Sequence, residues 1–267
     1  MRTRQHRTWF LPAAGALVAL AWGALWLWAQ SPYGRYLDHG DWTMIGSAGS
    51  LCSAVPAVRT LLPTLLYVGG WMLMLSAMML PTTLPLLEIY RRLTQQQRDR
   101  WLLVNLVVAG YLSAWVAFGI AAHALDLALH EAFAGNPWLI LNGWAIGAAV
   151  IAVAGAFQFS SLKYRCLDKC RTTLSFVIEH WRGRRNRLQA WRLGWHHGLF
   201  CVGCCWALML LMFVVGTGNV GWMLVLGAVM AAEKNLPWGR RLRVPLGLAL
   251  LAGAVGIAID GAGLWPL

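Results

Sequence analysis

The sequence predicts an all-α membrane protein, a polytopic bundle of about seven transmembrane helices. Three observations carry this reading. Of the 267 residues, 59% are hydrophobic and only 12% are charged, about half the charge of a typical soluble domain. The apolar residues lie in long unbroken runs rather than in amphipathic stripes. The basic residues, which give a net charge of +12, are confined to alternate segments between those runs.

A hydrocarbon core of about 30 Å needs roughly 20 apolar residues at ~1.5 Å per residue. Seven runs approach that length: 9–30, 65–87, 102–123, 138–159, 199–215, 220–232 and 244–260. The first follows Arg2, Arg4 and Arg7 in the manner of a signal peptide. Its apolar stretch exceeds an h-region and no A-x-A-like site follows, so a retained helix is expected. The second run is rich in methionine and ends near Pro81 and Pro85. The sixth is short, as for a helix buried among its neighbours. Together the runs make a single integral membrane domain over 1–267.

With the N-terminus cytoplasmic, the inner segments are 1–8, 88–101, 160–198 and 233–243. They hold 3, 4, 9 and 4 Lys or Arg, 20 of the chain's 22. Only Arg35 and Arg59 fall outside, a positive-inside bias that orients the chain and places the C-terminus in the periplasm or outside. A bacterial cytoplasmic (inner) membrane is the expected location. The charge is thereby explained without nucleic acid, and the lipid bilayer is the first partner. Trp9, Trp28, Trp101, Trp138, Trp222, Trp238 and Trp265 sit near run ends, where indole rings favour the interface.

Two connecting segments have content. The outer loop 31–64 contains "YLDHGDW" (Tyr36–Trp42) and Cys52. The inner segment 160–198 is long and basic. Its Trp181, Leu188, Trp191 and Trp195 recur near helical spacing among arginines, which suits either an interfacial helix or a solvated loop. "GWMLMLSAMML" (Gly70–Leu80) aligns without gaps to "GWMLVLGAVMA" (Gly221–Ala231), with seven of eleven positions identical. A parallel repeat of spans 1–3 and 5–7 would account for it. Small residues at Gly15, Ala19 and Gly23, at Gly143, Gly147 and Gly155, and at Ala249 and Gly253 are spaced for close helix approach.

Chemistry concentrates in "HHGLFCVGCCW" (His196–Trp206). At ~100° per residue, His197, Cys201, Cys204, Cys205 and Met212 fall on one arc of the fifth helix, with Met209 beside it. Imidazole, thiol and thioether on one face suit a soft cation, copper(I) or zinc. One helix cannot close a coordination shell. Cys166 and Cys170, an (i, i+4) pair on the same side of the membrane, are the nearest supplement. The second span brings Met78 and Met79 to the same inner mouth, while Met72 and Met74 read as core filler. Three roles stay open: metal handling or transfer, with a membrane or periplasmic partner; a thiol-redox component of the membrane; and cysteines that merely pack in an accessory subunit. The formal C-x-x-C of Cys201 and Cys204 lacks a thioredoxin-like βαβ setting.

A second polar group comprises Asp38, His39 and Asp41 with His123, Asp126, His130 and Glu131, either an outer cation site or solvated loops. The sequence has no phosphate-binding G-x-x-x-x-G-K-[ST] loop, no H-E-x-x-H and no G-x-S-x-G, so built-in nucleotide hydrolysis and common hydrolase chemistry are not expected. Glu233 and Lys234, near a span end, read as a functional pair or an interfacial ion pair.

The chain resembles a family of uncharacterised bacterial integral membrane proteins described as predicted metal-binding membrane proteins. The resemblance runs through "SAMMLPTTLPLLEIY" (Ser76–Tyr90), "FQFSSLKYRCLDKCR" (Phe157–Arg171), "HHGLFCVGCCWALMLLMFVVGTGNVGWM" (His196–Met223) and "EKNLPWG" (Glu233–Gly239). It implies Cys166, Cys170, His197, Cys201, Cys204 and Cys205 as metal ligands, and it matches Asn219, Trp222, Met223, Glu233 and Lys234 without assigning them a role. Ser160-Ser161 stands where the family pattern has Thr-Pro.

Overall fold

A computed structural model describes residues 2–31, 58–134, 142–180, 187–215 and 219–262. Among them are ten helices and no strand: α1 (Arg2–Ala29), α2 (Val58–Met78), α3 (Leu80–Leu93), α4 (Arg100–Ala134), α5 (Gly143–Phe157), α6 (Ser161–Arg171), α7 (Thr173–His180), α8 (Arg187–Val215), α9 (Val220–Asn235) and α10 (Gly239–Gly261). The segment with Asp38, His39, Asp41 and Cys52, together with Trp138, Trp181 and Trp265, lies outside the described residues. So do the side chains of His123, Asp126, His130 and Glu131 on α4.

Three stretches are long and apolar enough to cross a membrane unaided: Arg100–Ala122, Arg187–Met212 and Gly239–Gly261. Two bent pairs, Val68–Met78 with Leu80–Leu93 and Gly143–Phe157 with Ser161–Arg171, raise the number to five. Each bend has a local cause. The run expected as one helix over 65–87 turns by 66° because Pro81 has no N–H to donate and its ring crowds the carbonyl four residues back. The turn is held by Thr82 and Thr83, whose hydroxyls donate to the carbonyls of Met79 and Leu80 at 2.7 Å each. After α5 the axis turns by 63° through an extended Ser160, whose hydroxyl caps α6 by accepting from the Lys163 amide at 3.1 Å.

The basic segment 160–198 is largely helical rather than a loop. Its last part, from Arg187, is continuous with the apolar run that follows, so α8 is 29 residues long. His196 and His197 therefore lie three turns inside a helix rather than at its mouth. Pro is absent from 187–215, which leaves nothing to stop the helix where the hydropathy changes.

Of the small-residue sets, Gly143, Gly147 and Gly155 of α5 are buried, whereas the glycines of the other two are open. A Cβ added to Gly15, Gly23 or Gly253 would meet nothing within 4 Å. Gly155 does pack tightly, against Gly247 and Leu251 of α10. The tightest crossing is α4 on α8. A Cβ on Gly194 would stand 1.9 Å from the Val107 carbonyl oxygen, and one on Gly110 would stand 2.0 Å from that of Trp191. Backbone meets backbone here, so no side-chain rotation can relieve a substitution. Gly194→Ala is expected to cost at least the ~1–3 kcal/mol typical of overpacking. Gly253→Ala should be neutral or slightly stabilising. Thermal unfolding of the two variants in detergent measures the contrast.

One core gathers Leu25 of α1, Trp71 and Leu75 of α2, Trp115 of α4, Ala154 of α5, and sulfur-bearing residues of α2, α6, α8 and α9. A second, smaller core joins Leu86 and Tyr90 of α3, Val104 and Val107 of α4, Phe176 and Val177 of α7, and Leu193 of α8. In the aligned pair Gly70–Leu80 and Gly221–Ala231, Leu75 and Leu226 are both buried, as are Met79 and Met230. Trp71 is buried while Trp222 is 48% exposed, so the two copies differ in how much of the helix surface is covered.

Candidate metal centre

The first core is unusually rich in sulfur. Cys166, Cys170, Cys201, Cys204 and Cys205 lie in it with Met74, Met78, Met79, Met209, Met212, Met223 and Met230. None of these twelve is more than 8% exposed. The five described cysteines are free thiols.

Helix α6 supplies two of them because Lys163, Cys166, Leu167 and Cys170 fall on one buried stripe at helical spacing. That stripe packs on α8 where Gly203 leaves room. A Cβ at Gly203 would lie 2.7 Å from the Cys166 sulfur. The Cys170 thiol interacts with those of Cys201 and Cys204, and Cys166 lies close to Cys204. The convergence of the two cysteine groups, expected from topology alone, is realised by this one helix pair.

Cys201 is the hub. Its sulfur accepts from the Lys234 ammonium at 2.9 Å and lies 3.0 Å from the Tyr111 hydroxyl. The thiols of Cys204 and Cys205, one turn on, donate back to the Cys201 carbonyl at 3.1 and 2.9 Å. The Lys234 ammonium also faces Thr82 Oγ1 at 3.5 Å, Met79 Sδ at 3.7 Å and Cys205 Sγ at 3.8 Å. A positive group thus sits among two cysteine sulfurs and a thioether. A buried cation is tolerated only where it is paired and hydrogen-bonded, and here sulfur supplies much of that pairing.

Met79 therefore belongs to the immediate site. Met78 lies one step away, packed against Gly227 of α9. Met209, fully buried one turn beyond Cys205, belongs to the same core. His197, 3% exposed, stands one turn before Cys201. Its ring packs against Tyr111 and Phe176, with centroids 6.0 and 5.4 Å away. Its Nδ1 has no hydrogen-bond partner, a rare state for a buried polar atom.

Glu233 and Lys234 do not pair with each other, although they are adjacent. Glu233 turns the other way and accepts from Lys163 of α6 at 2.8 and 2.9 Å. Lys163 also donates to Gln158, and both Lys163 and Gln158 are wholly buried. Arg171 completes this edge by donating to the carbonyls of Glu233, Leu236 and Pro237 at the end of α9. The two halves of one dipeptide thus fasten α9 to α6 and to α8. Tyr111, Thr82, Gln158 and Lys163 were missed by sequence reasoning. Only Lys163 gave a signal, since it shares the stripe of Cys166 and Cys170.

Among the described residues, no three His, Cys, Asp or Glu side chains already stand as a ready-made metal cage. The physical reason is visible in Cys204 and Cys205, whose thiols are turned onto their own helix backbone. A χ1 rotation between staggered wells would free them. The donor set itself, thiols with an imidazole and thioethers, suits a soft monovalent cation better than a hard one.

The family model that matches this chain, over residues 68–257, is that of PpoB2, described as a copper chaperone. No curated protein and no solved structure matches the chain.

Proposed function

Because the chain belongs to the PpoB2 copper chaperone family, its part is in copper handling, and we propose that it carries Cu(I) as cargo within a membrane. The cargo site comprises Cys166, Cys170, His197, Cys201, Cys204 and Cys205, with Met79 alongside and Met78 and Met209 as outer thioethers. The observation that carries this reading is the packing of the buried Cys166 and Cys170 stripe of α6 against α8, in one core with Cys201, Cys204 and Cys205. Packing alone does not require two separate cysteine pairs to converge on one point beside a buried cation.

The membrane reading rests on the apolar outer surface. Leu17, Leu20 and Trp26 of α1, Ile120 of α4, Val153 of α5 and Leu248 and Val255 of α10 are each more than half exposed. Water disfavours such a surface and a hydrocarbon phase accepts it. We take the chain to cross seven times, α1 and α9 included. Its basic segments face the cytoplasm of a bacterial inner membrane and its C-terminus faces the other side. The cysteine centre then lies toward the cytoplasmic face, and the protein that receives the cargo is a membrane or periplasmic one. A periplasm-dependent reporter fused after Leu267 should be active, and one fused after Arg98 inactive. The reverse pattern would refute the orientation.

Metal analysis of detergent-purified protein tests the cargo site. The wild type, loaded with Cu(I) under reducing conditions and then washed with a Cu(I) chelator, should retain about one tightly held copper per chain, and the Cys201/Cys204/Cys205→Ser variant should retain none through the wash. Equal copper in both would reject the site.

A further inference from the structure

The sulfur centre is buried, and three imidazoles, those of His180, His196 and His197, lie beside it at the contact of α7 with α8. His180 ends α7, and its main-chain carbonyl accepts from Gln189 Nε2 of α8 at 3.1 Å, which ties it to that helix. The His180 ring stacks on Phe176 with centroids 4.3 Å apart. Its Nδ1 lies 2.9 Å from the Phe176 carbonyl oxygen. A carbonyl only accepts, so Nδ1 carries the hydrogen, and in the neutral ring Nε2 keeps its lone pair. This is the arrangement of a metal-binding imidazole whose second nitrogen is fixed by the backbone. The His180 ring neighbours that of His196 of α8, with centroids 5.6 Å apart, and His196 is exposed.

The next residue on α8 is His197, with its Nδ1 buried and unpartnered. Its ring touches the same Phe176 and the Tyr111 that hydrogen-bonds Cys201. A surface pair, one buried imidazole and a thiol hub therefore follow one another along the α7–α8 contact. Neither His180 nor a pairing of it with His196 is suggested by the cysteine motif.

We propose that His180 and His196 form a surface acceptor site for Cu(I), which passes from them by way of His197 to Cys201. The inference rests on the cargo reading above. Two neutral nitrogens hold Cu(I) less firmly than thiolates do, which suits a station from which the ion moves on. Copper stays monovalent throughout. Each transfer exchanges one lone-pair donor for another, and a thiol proton leaves to water when its sulfur binds. No electron is moved.

The test follows loading of the purified full chain from a bicinchoninate–Cu(I) complex under reducing conditions. In His180→Ala/His196→Ala the tightly held copper that survives a chelator wash should finally equal that of the wild type. The loading rate should fall about tenfold or more, within the one to three decades over which association rates of related complexes differ. His180→Gln/His196→Gln, which keeps side-chain volume and polarity, should load as slowly and guards against a folding defect. In the Cys201/Cys204/Cys205→Ser background a weakly held copper equivalent should remain, and it should vanish when the two histidines are also replaced. A wild-type loading rate in both double variants would overturn the acceptor site and leave the cargo site standing. A wild type that takes up no copper at all would overturn both.

Discussion

Glu233→Leu is expected to cost about 3–5 kcal/mol, because it strands the Lys163 ammonium at zero exposure with only Gln158 beside it. The magnitude follows from the asymmetry of buried ion pairs. Removing one partner leaves a desolvated charge, whereas removing both restores an apolar contact of similar volume. Lys163→Met/Glu233→Leu should therefore recover most of the loss. Thermal unfolding of single and double variants in detergent measures it. A double variant as unstable as the single one would mean that α6 is held by something other than this pair. The pair also positions the site. Lys163 stands one turn before Cys166 on the α6 stripe, so an α6 released from α9 takes Cys166 and Cys170 with it. The single variant should load less copper and the double variant should regain it.

This coupling marks the boundary of what the sequence could tell. The all-helical architecture was legible because apolar runs and breaker residues are local signals. The two cysteine groups could be brought together from the orientation of the runs and their basic flanks. The bend at Met79 was hidden because apolar composition is continuous across Pro81. The early start of α8 was hidden because hydropathy changes at Leu199 while helical geometry does not. The polar partners were hidden for a different reason. Lys163 meets Glu233 across 70 positions, and Tyr111 meets Cys201 across 90. Periodicity says nothing about contacts at that range. Even the adjacent Glu233 and Lys234 misled, since neighbours in a helix point about 100° apart and are free to serve different elements.

Cys201→Ser is expected to be the most damaging single change at the sulfur centre, while Cys166→Ser should be the mildest. The sulfur of Cys201 is met by Lys234, Tyr111 and Cys170 from three other helices, so its loss removes a ligand and unpairs its neighbours together. Cys166 has Cys204 as its neighbour and flanks the Gly203 gap. Loss of Cys166, a ligand at the edge of the site, should cost about the 10–100-fold in metal affinity that loss of a supporting group typically does, and loss of the central ligand should exceed about 100-fold. Lys234→Met separates the two roles of that hub. It removes the ammonium and adds a thioether of similar length, so the sulfur ligands remain and copper should still bind. The apo protein should lose stability, because Cys201 and Thr82 give up a charged partner worth about 1.5–3 kcal/mol. Competition titration against a Cu(I) chelator and unfolding of the apo forms check the two effects separately. If Lys234→Met abolished copper binding as completely as Cys201→Ser, the ammonium would be a required part of the cargo site instead of the counter-charge that steadies it when empty.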